Sequence, residues 1–124
     1  MVFCTAINCM DGRVQLPVIN YLKRRFEADY ADMITEAGPI RILAEQKDGE
    51  KIISIMNRLE ISVSNHSSKA IAIVGHFDCA GNPVSKEKQI EQIKQSVQFI
   101  KDQLSDVEVI GLWVEETLQI SEVA

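Results

Sequence analysis

The sequence predicts a single α/β domain in which helices flank a mostly parallel central β-sheet. Short apolar runs, typical of buried strands, alternate with longer segments in which apolar residues recur at helical spacing. The length of 124 residues is near the commonest size of one domain. A hydrophobic content of 46% is enough for a core that covers both faces of a sheet.

The predicted elements alternate along the chain. Strands are expected in five segments: residues 2–8, 32–35, 71–75, 107–114 and, as a short final edge strand, 118–123. Helical structure is expected in four segments: residues 17–29, a short turn at 40–46, residues 50–65, and a long helix after residue 85. Strands separated by helices in this way predict parallel pairing through right-handed crossovers.

The long helix is the clearest element in the sequence. Ser85 is typical of a helix N-cap. Apolar residues then recur at alternating steps of three and four: Ile90, Ile93, Val97, Ile100 and Leu104. This stripe predicts packing against the sheet, with lysine and glutamine on the opposite face.

The composition argues against several functional classes. The net charge of -5 and the absence of a basic run give no reason to expect nucleic-acid binding. The longest apolar run is far shorter than a membrane span, and the amino terminus enters a strand without a charged leader, so neither a membrane protein nor a signal peptide is expected. Three cysteines, an odd number, favour a reducing compartment and metal chemistry, and we expect a cytoplasmic protein.

Metal-binding residue types follow two of the predicted strands. His76 and Cys79 come directly after residues 71–75, and Cys9 follows residues 2–8. Imidazole and thiolate are ligands that zinc prefers, and sites in α/β sheets form at the carboxyl ends of strands. We therefore expect a Zn²⁺ site formed by these three side chains, which requires the first and third strands to be neighbours. The competing interpretation is two buried core cysteines with a strand-end histidine, or a disulfide between the two cysteines.

Asp11 and Arg13 come just after Cys9 and have two possible roles. Asp11 is a possible fourth metal ligand, which would exclude water from the metal. Alternatively, the planar guanidinium of Arg13 holds the carboxylate, which then accepts a hydrogen bond from a zinc-bound hydroxide. A structural ion pair that fixes the turn is the simpler interpretation of the two residues.

Five further residues have simpler explanations. Asp78 is expected to form a turn, although it is also a possible proton acceptor. Gly38 and Gly81 are expected to serve backbone geometry. Cys4 lies in mid-strand and is expected in the core, and His66 lies among serines and is expected to be solvated.

The two clusters together resemble the β-class carbonic anhydrases. The resemblance rests on Cys9-x-Asp11-x-Arg13 and on Gly75-His76-x-x-Cys79, each at the end of a buried strand. The Ala-Gly pair at residues 37–38 and the segment 110–114 before the last strand are also similar to family features, so the resemblance covers the whole chain.

The resemblance implies a function and a role for each site residue. Cys9, His76 and Cys79 would bind zinc, and Asp11 with Arg13 would form the catalytic dyad. The implied reaction is the reversible hydration of carbon dioxide to bicarbonate, with zinc-bound hydroxide as the nucleophile. Two thiolate ligands should acidify the bound water less than three histidines do, so we expect activity to rise with pH. The family also implies a homodimer or a higher homo-oligomer with the active site close to the dimer interface.

The sequence departs from the family pattern at three places. The family's helical amino-terminal extension has no counterpart before the first strand, Thr35-Glu36 stands where Arg-Asn is usual, and Ala80-Gly81 follows the second cysteine of the pattern. Two other functions therefore stay open. One is a non-catalytic zinc-binding domain in which Asp11 closes the metal. The other is a hydrolase of a carbon dioxide analogue such as carbonyl sulfide or carbon disulfide.

Overall fold

The computed structural model describes residues 1–124 as one five-stranded sheet with helices on both faces. The strands are β1 (Phe3–Cys9), β2 (Tyr30–Glu36), β3 (Ala70–His76), β4 (Glu108–Val114) and β5 (Ile120–Glu122). The helices are α1 (Gln15–Arg25), α2 (Pro39–Glu45), α3 (Gly49–Glu60) and α4 (Lys86–Gln103). A 3₁₀ turn at Gly12–Val14 precedes α1, and a π-helical turn at Ile61–Asn65 follows α3.

The order of the strands in the sheet is β2-β1-β3-β4-β5. The first four are parallel, and β5 pairs with β4 in the antiparallel direction. The expected adjacency of the first and third strands is confirmed, because Ile7 of β1 lies opposite Ile73 of β3. The chain reverses its direction of winding between these two strands, so their carboxyl ends flank the crevice where α/β proteins form their sites.

Two apolar layers hold the helices to the sheet. On one face, α1 lies against β1 and β2, and its Val18 and Leu22 belong to the same apolar cluster as the small residues Cys4 and Ala6 of β1. On the other face, α2, α3 and α4 pack against larger β-branched residues of the sheet, among them Ile73. All these side chains are buried, and removing their apolar surface from water drives the assembly of the layers.

The predicted elements are all present, with shifts at their ends. The first helix runs from Gln15 to Arg25 rather than over residues 17–29, and Pro17 falls in its first turn as expected. It ends early because Glu27 has a φ of 50°, a left-handed conformation that a right-handed helix does not contain. The second strand is longer than the predicted 32–35, since the whole of β2 pairs with β1.

One prediction about α4 is wrong. Ser85 caps the helix as expected, with its hydroxyl oxygen accepting from the Lys88 amide, and the predicted apolar stripe faces the sheet. However, Gln89 and Gln92 are only 2% and 4% exposed and also face inward. A hydrophobic pattern assigns glutamine to the solvent side because it cannot show that a buried amide has partners for its hydrogen bonds. None of the helices combines the length and the apolar character that a membrane crossing requires.

Candidate metal centre

The fold brings the three predicted ligands together. Cys9 is the last residue of β1, His76 is the last residue of β3, and Cys79 lies in the turn that follows. Their ligand atoms all lie within 4.8 Å of one another, and all three residues are buried. The two sulfur atoms are 3.9 Å apart. Parallel neighbouring strands that end at the same edge of the sheet explain this convergence.

The imidazole of His76 is suited to bind a metal ion. Neither ring nitrogen has a hydrogen-bond partner in the protein, although the residue is only 1% exposed. A buried polar atom without a partner is costly and therefore rare in native proteins. A ligand that accepts electron density from one ring nitrogen would remove part of that cost.

The two thiols complete a donor set that fits zinc. The hydrogen bond from Cys79 lowers the pKa of Cys9, and the same contact, together with burial, raises the pKa of Cys79. Either sulfur could donate in this contact, and a divalent cation that binds both sulfurs as thiolates would displace their protons. The backbone of Asp11 and Gly38 also lowers the pKa of Cys9, and the backbone of Gly81 and Asn82 opposes the rise in the pKa of Cys79. Two thiolates with one imidazole are a soft set typical of zinc.

Asp11 is paired with Arg13 and lies outside the three-residue group. Its Oδ1 accepts from the backbone amide of Arg13 at 2.9 Å and from Nε at 3.1 Å. Its Oδ2 accepts from Nη2 at 2.6 Å, so the guanidinium holds the carboxylate at two points. These hydrogen bonds lower the pKa of Asp11 to about 2. The sequence left two roles open for Asp11, a fourth metal ligand or a carboxylate held by Arg13. In this structure the carboxylate is held by Arg13 and is not among the grouped ligands.

Two residues between the ligands also contact Arg13. The guanidinium carbon lies 4.6 Å from the centre of the Phe77 ring, and that ring meets the His76 imidazole edge-on at 5.9 Å. Asp78 lies in the expected turn with a φ of 47°, and its carboxylate is 3.4 Å from Nη1 of Arg13. The sequence reasoning missed Phe77, although its position between His76 and Cys79 was the available signal.

The turns after β2 and β3 pack backbone against backbone beside the cluster. Gly38 has a φ of 62°, and a Cβ there would lie 2.7 Å from the carbonyl oxygen of Gly81. A Cβ on Gly81 would lie 2.6 Å from the carbonyl carbon of Ala37. The expectation that both glycines serve backbone geometry is confirmed, since neither position has room for a side chain.

Comparison with known proteins identifies the family. A family model described as "Putative carbonic anhydrase" matches residues 1–124. The chain belongs to this carbonic anhydrase family. No curated protein matches it in sequence.

Solved structures show that this carbonic anhydrase-family chain has the β-carbonic anhydrase fold. The β-carbonic anhydrase isoform I of the protozoan Trichomonas vaginalis has 18% identity and a TM-score of 0.66, with 96% of this chain and 81% of that chain covered. The carbonic anhydrase of Glaciozyma antarctica has 20% identity and a TM-score of 0.64, with 97% and 81% covered. A chain from a pair of tetrameric β-carbonic anhydrases of Sordaria macrospora has 12% identity and a TM-score of 0.59, with 96% of this chain and 79% of that chain covered. At these identities the likeness concerns the fold.

The acid at position 36, where the resemblance implies an amide, is paired with an arginine. Glu36, the last residue of β2, accepts a hydrogen bond from Nη2 of Arg58 at 2.7 Å. Arg58 belongs to α3, so the contact ties this helix to the end of the strand. The glutamate at this position is therefore explained by its ion pair with Arg58.

The remaining histidine and cysteine lie away from the cluster. His66 precedes β3 and is therefore at the opposite end of this strand from His76. It is exposed to solvent as expected, and in addition its Nδ1 lies 2.6 Å from Oδ2 of Asp32 and its ring stacks on Phe3 at 4.4 Å. Cys4 is fully buried in the core, as predicted.

Proposed function

We propose that this carbonic anhydrase-family protein catalyses the reversible hydration of carbon dioxide to bicarbonate, with Zn²⁺ held by Cys9, His76 and Cys79. The observation that carries the proposal is the pairing of Asp11 with Arg13 beside this buried donor group. Three protein ligands are the number typical of a catalytic zinc site, which keeps one position for water. When bound, zinc supplies a Lewis acid that lowers the pKa of water and so provides a nucleophile near neutral pH.

Asp11 acts as a hydrogen-bond acceptor in this proposal. Because its pKa is about 2, the carboxylate is ionised at any pH at which the enzyme would work. It therefore accepts hydrogen bonds and does not donate them. Such an acceptor orients a reactant that donates a hydrogen bond to it. Because Arg13 holds the Asp11 carboxylate in place, the direction of this hydrogen bond is set as well.

Arg13 and Phe77 form the surroundings of this acceptor. Arg13 is half-exposed and carries a positive charge that favours the approach of the bicarbonate anion in the reverse reaction. The ring of Phe77 offers an apolar surface next to His76, which suits the uncharged carbon dioxide molecule. We further propose that residues 1–124 form one zinc-binding domain and that the protein works as a homo-oligomer, since similar folds include tetrameric β-carbonic anhydrases.

The test is stopped-flow carbon dioxide hydration by protein of measured zinc content, from pH about 7 to about 9. We expect hydration that rises with pH, because two thiolate ligands leave the zinc less able to acidify water than three histidines do. Zinc-loaded protein without hydration at any pH would contradict the proposal. Hydrolysis of carbonyl sulfide or carbon disulfide by the same sample would then identify a different substrate.

Three variants assign the roles. Cys79→Ser is expected to lose zinc and hydration together, whereas Cys4→Ala changes a buried cysteine outside the cluster and should keep both. Asp11→Asn keeps the shape of the side chain but loses its charge and the pairing with Arg13. We expect this variant to retain zinc and to lose turnover, and unchanged turnover would remove Asp11 from the mechanism.

A further inference from the structure

A buried glutamine holds both backbone polar groups of His76. Nε2 of Gln89 donates to the His76 carbonyl oxygen at 2.9 Å, and Oε1 of Gln89 accepts from the His76 amide at 3.3 Å. The ladder between β1 and β3 pairs residues only as far as Ile7 and Ile73, three residues before His76. The side-chain amide therefore binds His76 as a neighbouring strand would.

The sheet makes room for this amide at Gly75. A Cβ on Gly75 would lie 3.1 Å from Oε1 of Gln89 and 2.9 Å from Cδ1 of Ile93. Both residues belong to α4, so this helix approaches the strand closely just before the ligand. A side chain at position 75 would push Gln89 away from His76.

A second glutamine, one turn further along α4, reaches the other end of the same turn. Oε1 of Gln92 accepts from Nδ2 of Asn82 at 2.7 Å, and both residues are buried. The backbone amide of Asn82 donates to the carbonyl oxygen of Cys79 at 3.2 Å. The two buried glutamines thus contact the first and last residues of the segment from His76 to Asn82, which we call the ligand turn.

The His76 ring makes no hydrogen bond to the protein that would set its orientation. Metal-binding histidines usually donate the second ring N–H to a carboxylate or carbonyl, which orients the ring. Here neither ring nitrogen of His76 has a partner in the protein. The orientation of the ligand must then come from its backbone and from packing, and Gln89 is the side chain that binds this backbone.

We propose that Gln89 is a positioning residue for the metal centre, which fixes the backbone of His76 so that the imidazole meets the two thiolates, and that Gln92 supports the same turn through Asn82. The inference rests on the zinc site of the proposed function. Burying two amides on a mostly apolar helix face is unfavourable unless their hydrogen bonds are made, and here both sets of hydrogen bonds lead to the segment from His76 to Asn82.

The test measures zinc binding and ligand geometry rather than activity. Zinc affinity is determined by competition with a chromophoric chelator at a fixed pH under reducing conditions, because affinity for thiolate sites depends on pH. The visible absorption of the Co²⁺-substituted protein reports the geometry of the ligands. We expect Gln89→Leu to weaken zinc binding about 10- to 100-fold and to change the Co²⁺ spectrum. Gln89→Glu keeps the acceptor for the His76 amide, so its zinc affinity should lie between those of the wild type and of Gln89→Leu.

Two controls separate positioning from general stability. Gln95→Leu changes an exposed glutamine of the same helix. Ile100→Val trims a buried residue at the far end of the same helix and lowers the stability without touching the ligand turn. Both should leave the zinc affinity and the Co²⁺ spectrum unchanged.

The outcomes distinguish the two proposals. Unchanged zinc affinity and spectrum in Gln89→Leu and Gln89→Glu would overturn the positioning role alone. A wild-type protein that binds no zinc would overturn the proposed function and this inference together. A wild-type protein that binds zinc but does not hydrate carbon dioxide would overturn the proposed function, while weaker zinc binding in the Gln89 variants would still support the positioning role. If Gln89→Leu does not fold, Gln89→Glu with the same two readouts decides.

Discussion

Arg13 illustrates how much a single side chain determines at this site. Its guanidinium holds Asp11 at two points, lies over the Phe77 ring and reaches Asp78. The planar group can do this because its donors are arranged in a rigid fork, and a lysine would offer only a point charge. The hydrogen bonds from Arg13 lower the pKa of Asp11, so the carboxylate remains an acceptor next to the candidate metal ligands.

The first prediction concerns this pair. The folded-state pKa of Asp11 is depressed to about 2, below its unfolded value of about 3.9. Its contribution to stability is therefore present above pH about 4 and is lost as the pH falls from about 4 to about 2. Arg13→Gln removes the pairing and should raise the pKa of Asp11 toward the ordinary value of about 3.9. The measurement is the ¹³C shift of the Asp11 carboxyl carbon during an acid titration of zinc-free protein. Arg41→Gln, which changes an arginine paired with Glu45, should leave the titration as in the wild type.

The second prediction concerns the packed glycine turns. Gly38→Ala forces an alanine into a left-handed conformation and against the Gly81 carbonyl, so we expect a loss of about 2 kcal/mol or more in the free energy of unfolding. Gly12→Ala is the matched control, since a Cβ there meets nothing within 4 Å. Urea unfolding at constant zinc measures both. Equal effects of the two changes would show that the close approach is not a constraint.

At the scale of elements, α4 has both an apolar and a polar role. Its buried isoleucines pack on the sheet, and its buried polar residues bind backbone or side chains on neighbouring segments. Ser96 is the third of these, since its hydroxyl donates to the carbonyl oxygen of Ile40 in α2 at 3.1 Å. The helix therefore connects the short helix after β2 with the ligand turn after β3.

The third prediction tests the start of this helix. Ser85→Ala removes the acceptor for the Lys88 amide and should cost about 1 kcal/mol of stability, because an amide of the first turn loses its partner. Ser105→Ala, just beyond the end of the helix, is the control and should have little effect. Urea unfolding again provides the measurement. No difference between the two variants would mean that the cap does not contribute to stability.

At the scale of the whole molecule, the candidate metal centre joins segments that are distant in the sequence. Cys9 and Cys79 are 70 residues apart, and a bound ion would tie β1 to the turn after β3. An ion that binds the folded state and not the unfolded chain stabilises the fold by mass action. The site is thus expected to affect stability as well as chemistry.

The fourth prediction is that zinc removal lowers the thermal stability. With free zinc about 100-fold above its dissociation constant, the stabilisation is about 2.7 kcal/mol, which corresponds to a rise of about 10 °C in Tm. Calorimetry with zinc and with a chelator measures the difference. Cys79→Ser should melt at the same temperature in both conditions, and a zinc effect that persists in this variant would place the ion elsewhere.

The fifth prediction concerns assembly. We expect sedimentation velocity to find a dimer or a larger homo-oligomer at micromolar concentration. Met10 and Leu16 are both 64% exposed and lie close in sequence to Cys9 and Arg13, so apolar surface is available near the site. A monomer over the whole concentration range would mean that one chain builds the complete site.

The sequence by itself determined the fold class, the order of the elements and the three candidate ligands. These depend on local pattern and residue type: short apolar runs and helical spacing define the elements, and cysteine with histidine at strand ends defines the metal chemistry. Only the tertiary structure decided that Asp11 pairs with Arg13, that Phe77 and Asp78 surround the same guanidinium, and that Gln89 and Gln92 face inward. Most of these contacts join residues far apart in the chain, and a buried amide is favourable only where its partner lies within hydrogen-bond distance. That condition is set by the packing of α4 on β3 and is not visible in the sequence pattern of α4.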